Sequence, residues 1–208
     1  MNQYNPIKGA YNNYFQYYTE QYQDRFIANL FKFKMNGYFL DIGCADPILQ
    51  NNSYFFETHL NWHGICIDST NQNYLNRKNT KFYCCDATKI NYKEILKNNN
   101  TPNIVDYLSI DTDDATNDVL KIIPFDEYTF SSITIEHDFY KEGEKRRLEQ
   151  RKILSDNGFH LLCSNVCLIN TNLPWEDWWV NPKTFDLKDL KFLQSENETI
   201  DVVVNKFK

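Results

Sequence analysis

Residues 37–47 read Gly37-Tyr38-Phe39-Leu40-Asp41-Ile42-Gly43-Cys44-Ala45-Asp46-Pro47. The compact apolar run from Tyr38 predicts a short buried strand, and it breaks off at a carboxylate and a glycine. Asp46-Pro47 reads as a cap and first-turn proline for the turn or helix that follows. The same design recurs in Gly64-Ile65-Cys66-Ile67-Asp68, in Lys81-Phe82-Tyr83-Cys84-Cys85-Asp86 and in Val105-Asp106-Tyr107-Leu108-Ser109-Ile110-Asp111. A fifth run, Phe130 to Glu136, leads into His137-Asp138, a sixth covers Phe159 to Val166, and Trp178-Trp179-Val180 forms a last short strand.

Segments with helical spacing separate these runs. Phe15, Tyr18, Tyr22, Phe26, Leu30 and Phe33 recur every three or four residues and predict a helix over 14–34. Further helices are expected at 54–60, 92–97, 115–122 and 141–156, the last closed by Gly158 in the C′ position. Short strands joined by crossover segments build parallel βαβ units. The expected fold is α/β and Rossmann-like, a mostly parallel seven-stranded sheet flanked by helices on both faces. No internal repeat or Pro/Gly-rich break interrupts the 208 residues. They read as one domain, with a helical or lid segment at 1–35, a core at 36–182 and a C-terminal extension at 183–208.

Composition narrows the function. Net charge is −6, and the basic residues between Lys141 and Lys152 alternate with Glu142, Glu144 and Glu149, a solvated helix face. A protein living on phosphate contacts carries a basic face, so nucleic acid is not the expected partner. No run approaches the ~20 apolar residues of a membrane span, and the N-terminus is polar and tyrosine-rich, unlike a signal sequence. A cytoplasmic protein is expected. Its six cysteines contain no C-x-x-C pair and read as reduced thiols.

In open α/β sheets ligands bind outside the carboxyl ends of the strands. Asp41, Asp68, Asp86 and Asp111 end four consecutive predicted strands, and Glu136-His137-Asp138 ends the fifth. Dinucleotide sites need G-x-G-x-x-G so that backbone can approach a pyrophosphate. Here a single glycine, Gly43, stands where that motif needs three, and no G-x-x-x-x-G-K-[ST] loop is present. The pattern favours an adenosine compound without phosphate. S-adenosylmethionine is one: its amino acid end takes a glycine turn, its ribose a carboxylate acceptor, and its sulfonium tolerates acidic surroundings.

Several passages carry a resemblance: Gln23-Asp-Arg-Phe-Ile27, Gly37 to Gly43, Asn52-Ser-Tyr-Phe-Phe-Glu57, Trp62-His-Gly-Ile-Cys-Ile-Asp68, Asp106-Tyr-Leu-Ser-Ile-Asp111, Ile133-Thr-Ile-Glu-His137 and Glu176-Asp-Trp-Trp179. Together, over about residues 20–182, they resemble the FkbM-type methyltransferases. The resemblance implies that Asp41 and Gly43 hold the amino acid end of S-adenosylmethionine, that Asp68 accepts the ribose hydroxyls, and that Asp86 and Ala87 border the adenine; Ser53 is a further candidate cofactor-binding residue. The chain departs from the family after Asp111, where Thr112-Asp113-Asp114 lacks the usual glycine and Thr116 replaces a glutamate.

The expected reaction is methyl transfer to a hydroxyl of a sugar or oligosaccharide. Alignment supplies much of the rate, but a hydroxyl also needs a general base or a metal. His137, between two acids, is the candidate base, with Asp111 beside it. Asp111, Glu136 and His137 are the candidate ligands for Mg²⁺ or Mn²⁺. Trp175, Trp178 and Trp179 read either as core or dimer contacts or as a wall on which a sugar stacks. A second copy of the chain is a further candidate partner. Two alternatives stay open: a methyltransferase for a small metabolite or peptide, and a non-catalytic module of a glycan-assembly protein.

Overall fold

The computed structural model describes residues 15–19 and 21–207. Most of the aromatic N-terminal stretch, Tyr4 to Tyr22, expected either to form a lid or to pack on the sheet, lies outside the described residues. Among the described residues, eight strands form one sheet: β1 Tyr38–Ile42, β2 His63–Asp68, β3 Thr80–Cys84, β4 Ile104–Ile110, β5 Thr129–Glu136, β6 His160–Cys167, β7 Pro174–Val180 and β8 Ser195–Glu196. Their order is β3-β2-β1-β4-β5-β7-β6-β8. Pairing is parallel from β3 to β5, and β7 enters antiparallel between β5 and β6. The fold is therefore Rossmann-like α/β with one strand more than expected. The extra strand, β8, has two polar residues, too few for any period to register.

Among the described residues seven α-helices accompany the strands: α1 Gln23–Leu30, α2 Tyr54–Leu60, α3 Tyr92–Asn98, α4 Thr116–Ile122, α5 Phe139–Glu142, α6 Glu144–Asp156 and α7 Ile200–Val204. Successive strand residues point to opposite faces, so β1 sends Phe39 one way and Leu40 and Ile42 the other. Phe39 packs with Phe26, Phe55, Leu60 and Val203 of α1, α2 and α7. Leu40 and Ile42 pack with Tyr92, Leu96, Val119 and Leu154 of α3, α4 and α6. Both faces are covered, which is why the central strands read as nearly continuous apolar runs.

The structure revises several boundaries. The first helix spans eight residues, not the expected 14–34. Asp24 is the reason: its carboxylate accepts the N–H of Tyr18 at 2.6 Å and of Thr19 at 3.2 Å, and the Thr19 hydroxyl at 2.7 Å, pinning the preceding segment outside the helix. Lys32 and Phe33 adopt positive φ and end the helix. The aromatic spacing comes from an irregular segment stacking on the core, as when Phe15 meets Phe33 at 5.4 Å. Asp46 caps a turn, accepting the N–H of Ile48 and Leu49, each at 2.8 Å, and the helix waits until Tyr54. The expected 141–156 helix breaks at Gly143 into α5 and α6. Gly158 closes α6 as expected: its N–H reaches the Ser155 carbonyl and that of Phe159 reaches Leu154, a Schellman ending. No helix among the described residues is long and apolar enough to cross a membrane.

Candidate functional site

The chain runs outward from β1 to β2 and β3, then returns to place β4 on the other side of β1. At that reversal a row of isoleucines aligns the carboxyl edge of the sheet. Ile42 pairs with Ile67 and Ile110, and Ile110 with Ile135. One residue past the row stand Gly43, Asp68, Asp111 and Glu136. Gly43 has φ +81°, and a Cβ there would lie 1.6 Å from the Asp111 carbonyl oxygen. Only glycine lets β1 and β4 close together at this point.

Over this edge lies a cleft of about 750 Å³, whose walls include Gly43, Asp68, Asp86, Ala87, Asp111, Asp113, Glu136 and Trp175. Five of its lining side chains are carboxylates and none is Lys, Arg or His. A smaller cavity of about 170 Å³ shares Gly43, Ala45, Asp111 and Trp175 with the cleft and adds Gln21, Gln23 and Asn52.

Asp68 reaches the cleft and accepts the N–H of Ala45 at 2.9 Å and of Thr70 at 2.7 Å, which ties the glycine turn to β2. Asp86 lies at the far end, where hydrogen bonds from Lys89 and Thr88 hold its carboxyl down at about 2. Ala87 forms the adjacent wall. Asp111 and Glu136 share a hydrogen bond. Burial, then the contact with Asp111, pushes the Glu136 carboxyl up to about 11; burial also raises Asp111. The pair holds one proton at neutral pH, carried by Glu136, whose Oε1 also accepts the indole N–H of Trp175.

The structure does not bring the other expected groups into the cleft. Asp41 lies two residues below the rim, about 6–7 Å at strand rise, and is 1% exposed. Burial raises its carboxyl to about 6 against the hydroxyls of Ser53 and Ser109. The Ser53 hydroxyl, also buried, donates to Asn51 at 2.9 Å and accepts from Arg77 at 3.1 Å. Both residues brace the turn after β1 from beneath. His137 is fully buried: its Nδ1 accepts the N–H of Phe139 at 3.2 Å, and its Nε2 faces Asp177 at 3.7 Å. Burial pushes the imidazole down to about 4. It follows Glu136 by one residue, so it projects from the opposite side of the chain, away from the cleft.

The expected metal set of Asp111, Glu136 and His137 therefore does not assemble. Oxygens of Asp113, Glu136 and Asp138 do come within 4.8 Å of one another. Asp138, however, already meets Lys141 at 3.0 Å and Arg146 at 3.1 Å, and Glu136 holds a proton. A divalent ion at this trio would have to displace both cations from Asp138. Trp178 and Trp179 are core: Trp178 packs on Phe26 at 4.2 Å, and Trp179 is buried on the opposite face. Only Trp175 reaches the cleft. Gln21 and Gln23 were not singled out as site residues in the sequence, although Gln23 opens the first passage that carries the resemblance.

No family model matches the chain, and no curated protein matches it. Solved structures do. The chain is similar to a Clostridium thermocellum protein assigned as an rRNA methylase, with 13% identity and a TM-score of 0.52 over 80% of this chain and 97% of that one. It is also similar to a protein of the NADB-Rossmann superfamily from Streptococcus agalactiae, with 13% identity and a TM-score of 0.50 over 87% of this chain and 76% of that one. At such identity the likeness defines the fold, and that fold is Rossmann-like.

Proposed function

We propose that the protein is an S-adenosylmethionine-dependent methyltransferase acting on an uncharged hydroxyl acceptor, with a sugar or oligosaccharide as the substrate class. The observation that carries the reading is the acidic rim at the sheet's reversal point, where five carboxylates and a glycine turn face one cleft with no cation lining it. Such a rim repels pyrophosphate and suits a sulfonium. For the same reason the RNA substrate of the rRNA methylase is not transferred to this chain: a backbone of phosphates would meet five carboxylates in this cleft and no cation lining it.

The donor set fits. Asp68 has lone pairs left for ribose hydroxyls, and Ala87 and Ile67 offer apolar wall for adenine. When bound, the cofactor supplies a methyl group on positive sulfur, which leaves as sulfur becomes neutral and the acceptor oxygen bonds to carbon. Asp111 is the base in this reading, taking the acceptor's proton while Glu136 donates to its other oxygen. Trp175, held by Glu136, is the wall on which a sugar face rests. Calorimetry with S-adenosylmethionine, then methyl transfer from labelled donor to an oligosaccharide panel read by mass spectrometry, tests the proposal. Absence of cofactor binding sinks it.

A further inference from the structure

At the open edge of the sheet a second depression, about 560 Å³, runs along the β2–β3 loop and the edge strand β3. That volume is ordinary for a ligand site. Gln72 lines both this groove and the cleft, so the two are continuous. Their linings differ in kind. The cleft carries five carboxylates and the groove none: Asn71, Gln72 and Asn73 supply amides, Phe82 and Leu75 apolar surface, and Lys81 one cation.

The aromatic floor is built into the fold. Phe82 lies flat on Tyr74, with ring centres 4.2 Å apart and planes within 2°. Tyr74 is buried, and its hydroxyl donates to the Ala45 carbonyl at 3.2 Å. One face of Phe82 is thus covered, yet the residue stays half-buried, on a strand with no outer neighbour among the described residues. Leu75 also lines the groove and is 89% exposed, more than any other large apolar side chain described. Asn73 spends its carbonyl oxygen on the Leu75 N–H at 3.2 Å and keeps both amide protons.

A sugar ring has the complementary chemistry. Its C–H face packs on an aromatic ring, and its hydroxyls both donate and accept, as amides do. A phosphate would find only Lys81 here, and a cation would find no carboxylate. We propose that this groove binds an uncharged sugar unit of an oligosaccharide acceptor, one that does not itself react. The inference rests on the sugar-acceptor reading given above. β3 stands three strand spacings from β4, about 14 Å, so no single ring reaches both Phe82 and Asp111. The groove therefore reads the glycan some units away from the methylated hydroxyl, and it selects for length.

The test presents the wild type, Phe82→Ala and Leu75→Ser with a printed panel of neutral and acidic oligosaccharides of graded length. Calorimetry with S-adenosylhomocysteine runs alongside. Leu75 is exposed, so its variant keeps the proposal testable if Phe82→Ala loosens the edge strand. The wild type should retain neutral oligosaccharides more strongly than single sugars. Phe82→Ala should weaken that retention about fivefold and Leu75→Ser about threefold, with nucleoside affinity unmoved in both. A wild type that binds the nucleoside but retains no glycan, or retention indifferent to both substitutions, overturns the groove alone. Retention of acidic glycans only would mean that Lys81 reads charge, and overturns the uncharged unit. Glycan retention that responds to both substitutions in a protein that binds no nucleoside sinks the methyltransferase reading and leaves the sugar groove standing.

Discussion

Glu136→Gln tests the claim that the cleft's carboxyl pair carries a proton. The Glu136 carboxyl is raised from 4.5 to about 11, by burial first and by Asp111 next. The folded chain then holds a proton that the unfolded chain releases above its ordinary carboxylate range. For a group raised on folding, the stabilisation is fully present below the unfolded pKa and is lost as pH climbs towards the folded one. Between pH 4.5 and pH 7 the loss is about 3 kcal/mol, at about 1.36 kcal/mol per pH unit. Glutamine cannot ionise in either state. Its carbonyl oxygen can still accept from Trp175 and its amide can still donate to Asp111. Wild type and variant should therefore match near pH 4.5, and the variant should be more stable by about 3 kcal/mol at pH 7. Other raised carboxyls, such as Glu176, are common to both proteins and cancel in the difference. Urea unfolding followed by tryptophan fluorescence across this window measures it, provided the denaturant slope is unchanged. Parallel stability curves, or a variant weaker at pH 7, would mean that Glu136 is ionised in the fold and that the proton-sharing argument is wrong.

Gly43→Ala should lose several kcal/mol of stability, because a positive φ costs about 1–2 kcal/mol for a side chain and the new Cβ would lie 1.6 Å from the Asp111 carbonyl; thermal denaturation checks this, and a native midpoint refutes it. Asp68→Ala should weaken S-adenosylhomocysteine at least tenfold by calorimetry, since it removes both the proposed ribose acceptor and the tie to Ala45; unchanged affinity removes the ribose role. Asp111→Asn should bind S-adenosylhomocysteine but lose most turnover, whereas EDTA should leave methyl transfer unchanged, because Asp138 of the Asp113, Glu136 and Asp138 cluster is already paired with Lys141 and Arg146. Turnover retained in the asparagine variant, or suppressed by chelation, reverses these two assignments.

The parallel half of the sheet was legible because each of the first five strands is a short run with a carboxylate at or just past its end, and the aligned isoleucines put four of those ends in one row. The roles of individual acids were less legible, since residue type does not report depth. Asp41 and Asp68 look alike in sequence, yet two residues of strand separate a buried brace from a cleft group. His137 could have been read correctly from alternation alone. Its neighbour Glu136 faces the cleft, so an adjacent residue projects away from it.

Gln23 is the opposite case: it opens a passage that carries the resemblance, yet that passage assigns it no role. Its orientation is set by Glu176, 153 positions away, and Glu176 is in turn held by Trp178 from its own strand. Gln23 Nε2 donates to Glu176 Oε1 at 2.7 Å, and its carbonyl oxygen is left buried without a hydrogen-bond partner among the described residues. The cavity's acceptor character is thus dictated by a strand contributed late in the chain. A period or a motif confined to residues 14–34 could not have revealed it. The polarity of the site is decided by which donor Glu176 receives.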